Sequence, residues 1–207
     1  PFFDSVYVKR WLDGRDFSTP EAADNAAMEI YNRGSLLQYS RDFHGNRKAE
    51  RSVEVLMEWL LTNQSPEHGY WGPAEWWTTD DLSNMMMAAY HLSILFVYEG
   101  MSLEYGEKVI DNTLSLQSEK GGFPGPHHPE SSACQDLDAV YLLVQLANHT
   151  EYRRETVLHA VKRVVPVILS HQNNDGGFSF YKGKSFTYGS AQMYSCLLYT
   201  SDAADEL

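Results

Sequence analysis

Three glutamines, Gln64, Gln117 and Gln172, are each followed five residues later by the start of a glycine-aromatic pair: Gly69-Tyr70, Gly122-Phe123 and Gly177-Phe178. They stand 53 and 55 residues apart. A period near 50 residues marks an array of like supersecondary units, none of which can bury its apolar face alone. The glycines predict tight turns, because only glycine adopts such backbone angles without strain. The glutamine amides are expected to satisfy polar groups left unpaired at helix ends, and the following aromatics to pack against them.

Between these signals the chain alternates two kinds of helix. Arg47–Asn63 carries apolar residues at 49, 53, 56, 57 and 60 with charges opposite, the stripe of an amphipathic helix. Ser102–Leu116 follows with Leu103, Val109, Ile110 and Leu114 inward, and Glu151–Ser170 with Val157, Val161, Val164, Val165 and Ile168; Pro166 is expected to bend or interrupt the latter. Leu82–Tyr98 and Leu137–Ala147 are instead apolar on all sides, as helices buried by protein all round must be. Thr19–Arg33 is predicted as a further helix, capped by Ser18 or Thr19, with Phe2–Leu12 as its outer partner. Tyr181–Tyr194 begins the next inner segment. No useful strand alternation occurs. The expectation is all-α: an inner ring of buried helices inside an outer ring of amphipathic ones, with about four hairpins present and the last of them incomplete.

The ends need separate treatment. Residue 1 is Pro, and Cys196–Glu206 resembles one translated frame of a transposon-type sequencing adapter. The expected organisation is therefore a partial domain over 1–195 and a non-native tail over 196–207. Cys134 is then the single natural cysteine, which supports no disulfide framework and suits a reducing, cytoplasmic compartment, although the missing start leaves localisation open. The net charge of −12 argues against a nucleic-acid partner. No run of eighteen apolar residues marks a transmembrane helix. Oligomeric state is not legible.

Leu116-Gln117 through Gly121-Gly122-Phe123-Pro124-Gly125, and Gln172 through Gly177-Phe178, resemble the glutamine-aromatic repeat of the squalene cyclase and protein prenyltransferase β-subunit superfamily. The resemblance runs over about residues 16–195, and Ser132-Ala133-Cys134-Gln135-Asp136-Leu137-Asp138 is similar to poorly characterised bacterial members. It implies an α/α toroid of helical hairpins with a ligand cavity inside the inner ring. Asp136-Leu137-Asp138-Ala139 lacks the final acid of the cyclases' Asp-x-Asp-Asp motif, and Cys134-Gln135-Asp136 reverses the prenyltransferases' zinc-binding Asp-x-Cys. Similar repeats occur in pectate lyases and other carbohydrate-active toroids.

Candidate chemistry gathers before the second buried helix. Asp136 and Asp138 are the candidate catalytic carboxylates, acting as an acid/base pair or cation contacts, or else capping the helix. Asp138 stands out because a charge inside an apolar run needs a reason. Trp76, Trp77, Asp81, His127, His128, Cys134 and Phe178 are the candidate cavity or substrate-binding residues, with Asp80 or Asp81 also expected as an N-cap. Aromatic walls suit a polyisoprenoid cation or a stacked sugar. No metal set is assigned: His127, Cys134 and Asp136 have the right chemistry for zinc but fit no zinc spacing. No cofactor is called for, with zinc and magnesium left open. The expected partner is an apolar small molecule or a carbohydrate. The leading function is a terpenoid cyclase- or prenyltransferase-like toroid acting on an isoprenoid; the alternatives are a lyase or hydrolase of sugars, or a ligand-binding toroid without a reaction.

Overall fold

In the computed structural model, residues 2–73, 78–125, 130–174 and 176–183 are described. They form seven helices: α1 (Ser5–Asp13), α2 (Pro20–His44), α3 (Arg47–Asn63), α4 (Thr79–Tyr98), α5 (Gly106–Ser115), α6 (Ala133–Ala147) and α7 (Arg154–Leu169). Among the described residues there are no strands, only three isolated bridges. The segment 184–207, which contains most of the predicted last inner helix and all of the adapter-like tail, lies outside them.

Short polar side chains start most of these helices. Asp4 accepts from Val6 and Tyr7 N–H, Thr19 from Ala22 N–H, and Asn46 from Lys48 and Ala49 N–H. Thr78, not Asp80 or Asp81, caps α4, while Asp81 sits in the first turn and hydrogen-bonds back to the threonine. The hydroxyl wins this position because it accepts from Asp81 N–H while the Asp81 carboxylate favours the positive helix end. Contrary to expectation, α2 runs past Arg33 to His44 and stops where Gly45 takes a left-handed φ of 60°. Gly34 does not break it: a Cβ there would stand 2.8 Å from Leu95 and 2.9 Å from Leu56, so this glycine lets α2 seat closely on its neighbours. Pro166 lies within α7 without ending it.

Two layers result. α2 packs on α4 and α4 on α6, making an inner row, while α3, α5 and α7 back onto α2, α4 and α6 as the outer arms of three hairpins. α1 lies against α3 in the outer layer rather than simply pairing with α2, and its Trp11 ring is covered by Arg33 and Arg15 at 4.3 and 4.6 Å. The core between the layers contains the predicted outer-helix stripe (Ala49, Val53, Leu56, Met57 and Leu60) and the inner-helix residues Met86, Leu92, Leu142 and Leu143. Met85 and Met86 are core as expected, and Met87 is only partly buried.

The glutamine turns join the layers by one repeated device. Gln64 Nε2 donates to Gly69 O at 2.8 Å, Gln117 Nε2 to Gly121 O at 2.7 Å, and Gln172 Nε2 to Gly176 O at 3.2 Å. Their glycines have φ of 80°, 100° and 87°. The turn glycines are thus Gly69, Gly121 and Gly176, not Gly69, Gly122 and Gly177. The first turn holds one more residue, since Gln64 bridges to Trp71 whereas Gln172 bridges to Phe178. Trp71 is therefore the first repeat aromatic, and its indole N–H donates to Leu60 O at the end of α3, 2.8 Å away.

Each of the first two turns also leans on the next outer helix. Lys108 of α5 donates to Pro66 O and Glu67 O of the first turn, and Arg163 of α7 donates to Ser118 O and Glu119 O of the second. Gln117 reaches α7 itself, donating to Ala160 O at 2.8 Å. Gln117→Leu should cost about 2 to 4 kcal/mol, because two carbonyls lose their donor. Gln172→Leu, an exposed side chain with one longer bond, should cost under about 1 kcal/mol in urea unfolding. Equal losses would contradict this division of labour.

Candidate functional site

The two candidate catalytic carboxylates lie two residues apart on α6, so they point to different sides of the helix. Asp136 turns toward the second glutamine turn. It is fully buried, and its Oδ1 accepts from Phe123 N–H at 2.8 Å. The Ser131 hydroxyl also hydrogen-bonds to it, and Gly122 leaves the room: a Cβ at Gly122 would lie 2.4 Å from Ser131 Oγ and 3.2 Å from Asp136 Oδ1. Neither carboxylate is the N-cap, which is Ser132. Asp136 anchors the turn to α6 instead. Burial pushes its carboxyl up to about 7, with the Phe123 and Ser131 hydrogen bonds opposing. Its Oδ2 is buried without a hydrogen-bond partner, an atom better suited to a protonated acid than to a carboxylate.

Asp138 faces the inner row. It is 5% exposed, and burial first, then the charge of Asp24 on α2, raises its carboxyl well above the ordinary range. Cys134 precedes Asp138 by four residues and Tyr141 follows by three, so the three share one stripe of α6. Burial, then the Asp138 and Asp24 charges, pushes the Cys134 thiol up to about 12, which keeps it protonated and a poor nucleophile.

Opposite this stripe α4 presents Tyr90 and His91, and α2 presents Asp24 and Tyr31. The Tyr90 and Tyr141 rings meet edge to face with centroids 5.3 Å apart, and Tyr90 and Tyr31 flank the His91 ring at 5.2 and 6.0 Å. Burial raises the Tyr90 hydroxyl, and the Asp138 charge adds to it. His91 Nδ1 stands 3.4 Å from Asp24 Oδ1, a contact that becomes an ion pair when the imidazole is protonated, and both atoms are buried without a hydrogen bond. Three inner helices thus assemble a wall of tyrosines, two carboxyl groups, an imidazole and a thiol.

The other candidates are distributed differently. Asp81 belongs to the α4 cap, away from this wall. Phe178 is packed into the core. Trp76, Trp77, His127 and His128 lie outside the described residues. Among the described residues no three His, Cys, Asp or Glu side chains converge as a metal site, and no helix is long and apolar enough to cross a membrane. Asp24, Tyr31, Tyr90, His91 and Tyr141 were not singled out from the sequence. Their signal was the polar Tyr90-His91 step inside an otherwise apolar helix and the seven-residue spacing of Asp24 and Tyr31.

Asp136 has a measurable consequence. In an unfolded chain it releases its proton near 3.8, and in the fold at about 7. Between those values the folded state holds the extra proton, so this residue's contribution to stability falls as pH rises through that window and is level outside it. Asp136→Asn keeps an acceptor for Phe123 N–H but cannot ionise. Relative to this variant, the wild type should lose stability in urea from pH 4 to pH 7; a pH-independent difference would contradict the assignment.

Comparison with curated proteins and with solved structures gives no match. Residues 25–198 match the prenyltransferase alpha-alpha toroid domain, a span that takes in nearly all of α2 and every helix after it. With layered hairpins, glutamine-held turns and most of its length matched, the chain belongs to the prenyltransferase alpha-alpha toroid domain family.

Proposed function

We propose that this toroid binds an isoprenoid or similarly apolar chain against the inner wall, and that Asp138 delivers a proton to one of its double bonds. The observation that carries this is the placement of Asp138: a nearly fully buried carboxyl whose hold on its proton is strengthened by burial and then by the neighbouring Asp24 charge. A neutral carboxylic acid in a low-dielectric wall is a Brønsted acid ready for use.

In the step proposed, the π electrons of the double bond take the Asp138 proton. A C–H bond forms, the neighbouring carbon becomes a cation, and Asp138 is left as a carboxylate. The faces of Tyr31, Tyr90 and Tyr141 suit such a cation through their ring quadrupoles, an attraction that strengthens away from water. The rearranged cation then loses a proton from a carbon beside the charge, forming a new double bond, and the Asp138 carboxylate takes up a proton again, directly or by way of water, which closes the cycle. Asp136 has no part in the transfer, because its carboxyl is committed to the Phe123 amide. Stacking of a sugar on Trp76 and Trp77 would need residues outside those described, whereas the tyrosine wall supports the apolar substrate.

The test is turnover of a long linear polyprene by the purified protein, with products separated by gas chromatography and identified by mass spectrometry. Asp138→Asn should lower the rate at least about a hundredfold, the usual worth of a positioned acid, while still binding the polyprene. An unchanged rate in this variant, or a polyprene recovered intact from the wild type, would overturn the proposal.

A further inference from the structure

The outer layer holds a cleft that the proposed reaction does not use. It lies where the ends of α1 and α3 meet the chain leaving the first glutamine turn. Its volume is about 430 Å³, within the roughly 300–1,000 Å³ usual for small-molecule sites. Three aromatic rings line it. Trp71 is buried and shared with the core, while Phe17 and Trp59 are half-buried. Those two rings touch, with centroids 5.9 Å apart and planes tilted by 40°. Asp13, Arg15 and Asn63 complete the lining with a carboxylate, a guanidinium and an amide.

Each of these polar groups is held in place and keeps hydrogen-bonding capacity. Asp13 accepts from Lys9 Nζ with both oxygens and from the Trp59 indole N–H at 3.0 Å, which also fixes the angle of the indole. The Lys9 hydrogen bond lowers the Asp13 carboxyl, so it stands as an ionised acceptor with about four lone-pair sites. Arg15 donates from Nε to Trp11 O, pairs with Glu29 through Nη1 and lies over the Trp11 ring. A guanidinium has five N–H donors, and these contacts do not use them all. Asn63 commits its amide nitrogen to Trp59 O at 2.8 Å and retains its carbonyl oxygen as an acceptor.

This lining narrows the class of ligand. An alkyl or isoprenoid chain would strip water from the carboxylate, guanidinium and amide and replace none of its hydrogen bonds. A charged ligand meets one carboxylate and one guanidinium, so neither sign is favoured. A flat nucleobase finds no parallel slot between Phe17 and Trp59, because the rings are tilted and in contact. A pyranose meets every condition: its apolar C–H face covers an indole, and its hydroxyls both donate and accept.

We propose that this outer cleft binds a neutral hexopyranose unit, its C–H face on Trp59 and its hydroxyls on Asp13, Arg15 and Asn63. The site makes and breaks no bond, is separate from the inner wall, and stands whether or not Asp138 transfers a proton.

The test titrates the whole chain, labelled with 5-fluorotryptophan, with the methyl glycosides of glucose, galactose and mannose, followed by fluorine NMR. At least one glycoside should move the Trp59 resonance saturably, with a Kd in the millimolar range or tighter. Cyclohexanol, a six-membered ring with a single hydroxyl, should bind at least about tenfold more weakly. Asn63→Ala, at an exposed position, should weaken the best glycoside about threefold to tenfold, the worth of one hydrogen bond. Trp59→Leu should abolish the response read on the Trp71 resonance. Absence of a saturable shift with all three glycosides, a measurement that needs no variant, would overturn the inference. So would cyclohexanol binding as tightly as the best glycoside, adenosine binding more tightly than any of them, or an affinity that Asn63→Ala leaves unchanged.

Discussion

The hydrogen bond from a glutamine amide to a glycine carbonyl is what lets two layers of helices behave as one body. A helical hairpin ends with carbonyls that its own backbone cannot satisfy, and a loop crossing between layers adds more. At Gln64 and Gln117 a single side chain meets that need and sets the direction in which the chain turns back. Lys108 and Arg163, one repeat apart, then fix each turn to the outer helix of the next hairpin. The spacing between units is set by these contacts. The hydrophobic stripes supply most of the driving force for packing but would tolerate a range of offsets.

That rigidity matters because the inner wall is assembled from helices distant in sequence. Asp24, Tyr90 and Asp138 come from three units and meet only if α2, α4 and α6 keep their relative heights. Asp136 ties α6 to the second turn through Phe123 N–H, so a residue two positions from Asp138 sets the height of that helix. The carboxyls then differ by environment. Asp136 is buried but hydrogen-bonded, while Asp138 is buried beside another acid. A buried acid beside another acid costs the fold stability, and the proposed proton delivery would be a use for it.

Much of this was legible in the chain. The stripe of α3 was read with its observed bounds, because seventeen residues of clean periodicity between Asn46 and Gln64 leave little choice. The end of α2 was misplaced by eleven residues: Gly34 looks like a stop signal, and only packing against Leu56 and Leu95 explains why it is not. The turn register slipped because Gly69-Tyr70 mimics the later glycine-aromatic pairs, while one extra residue makes Trp71 the true counterpart of Phe178. Asp138 was visible as a charge in an apolar run. Its partners were not, since nothing in one sequence says that Asp24 and His91 will stand 3.4 Å apart. Asp136 was read as acid or cap; its hold on the Phe123 amide was not legible, because it depends on where Phe123 folds back.

The central claim is that the inner wall holds a neutral carboxylic acid at Asp138. Difference infrared spectroscopy of the wild type against Asp138→Asn at neutral pH tests it without any substrate. The account predicts a protonated carboxyl stretch that disappears in the variant. A difference spectrum showing only the paired bands of an ionised carboxylate would contradict it.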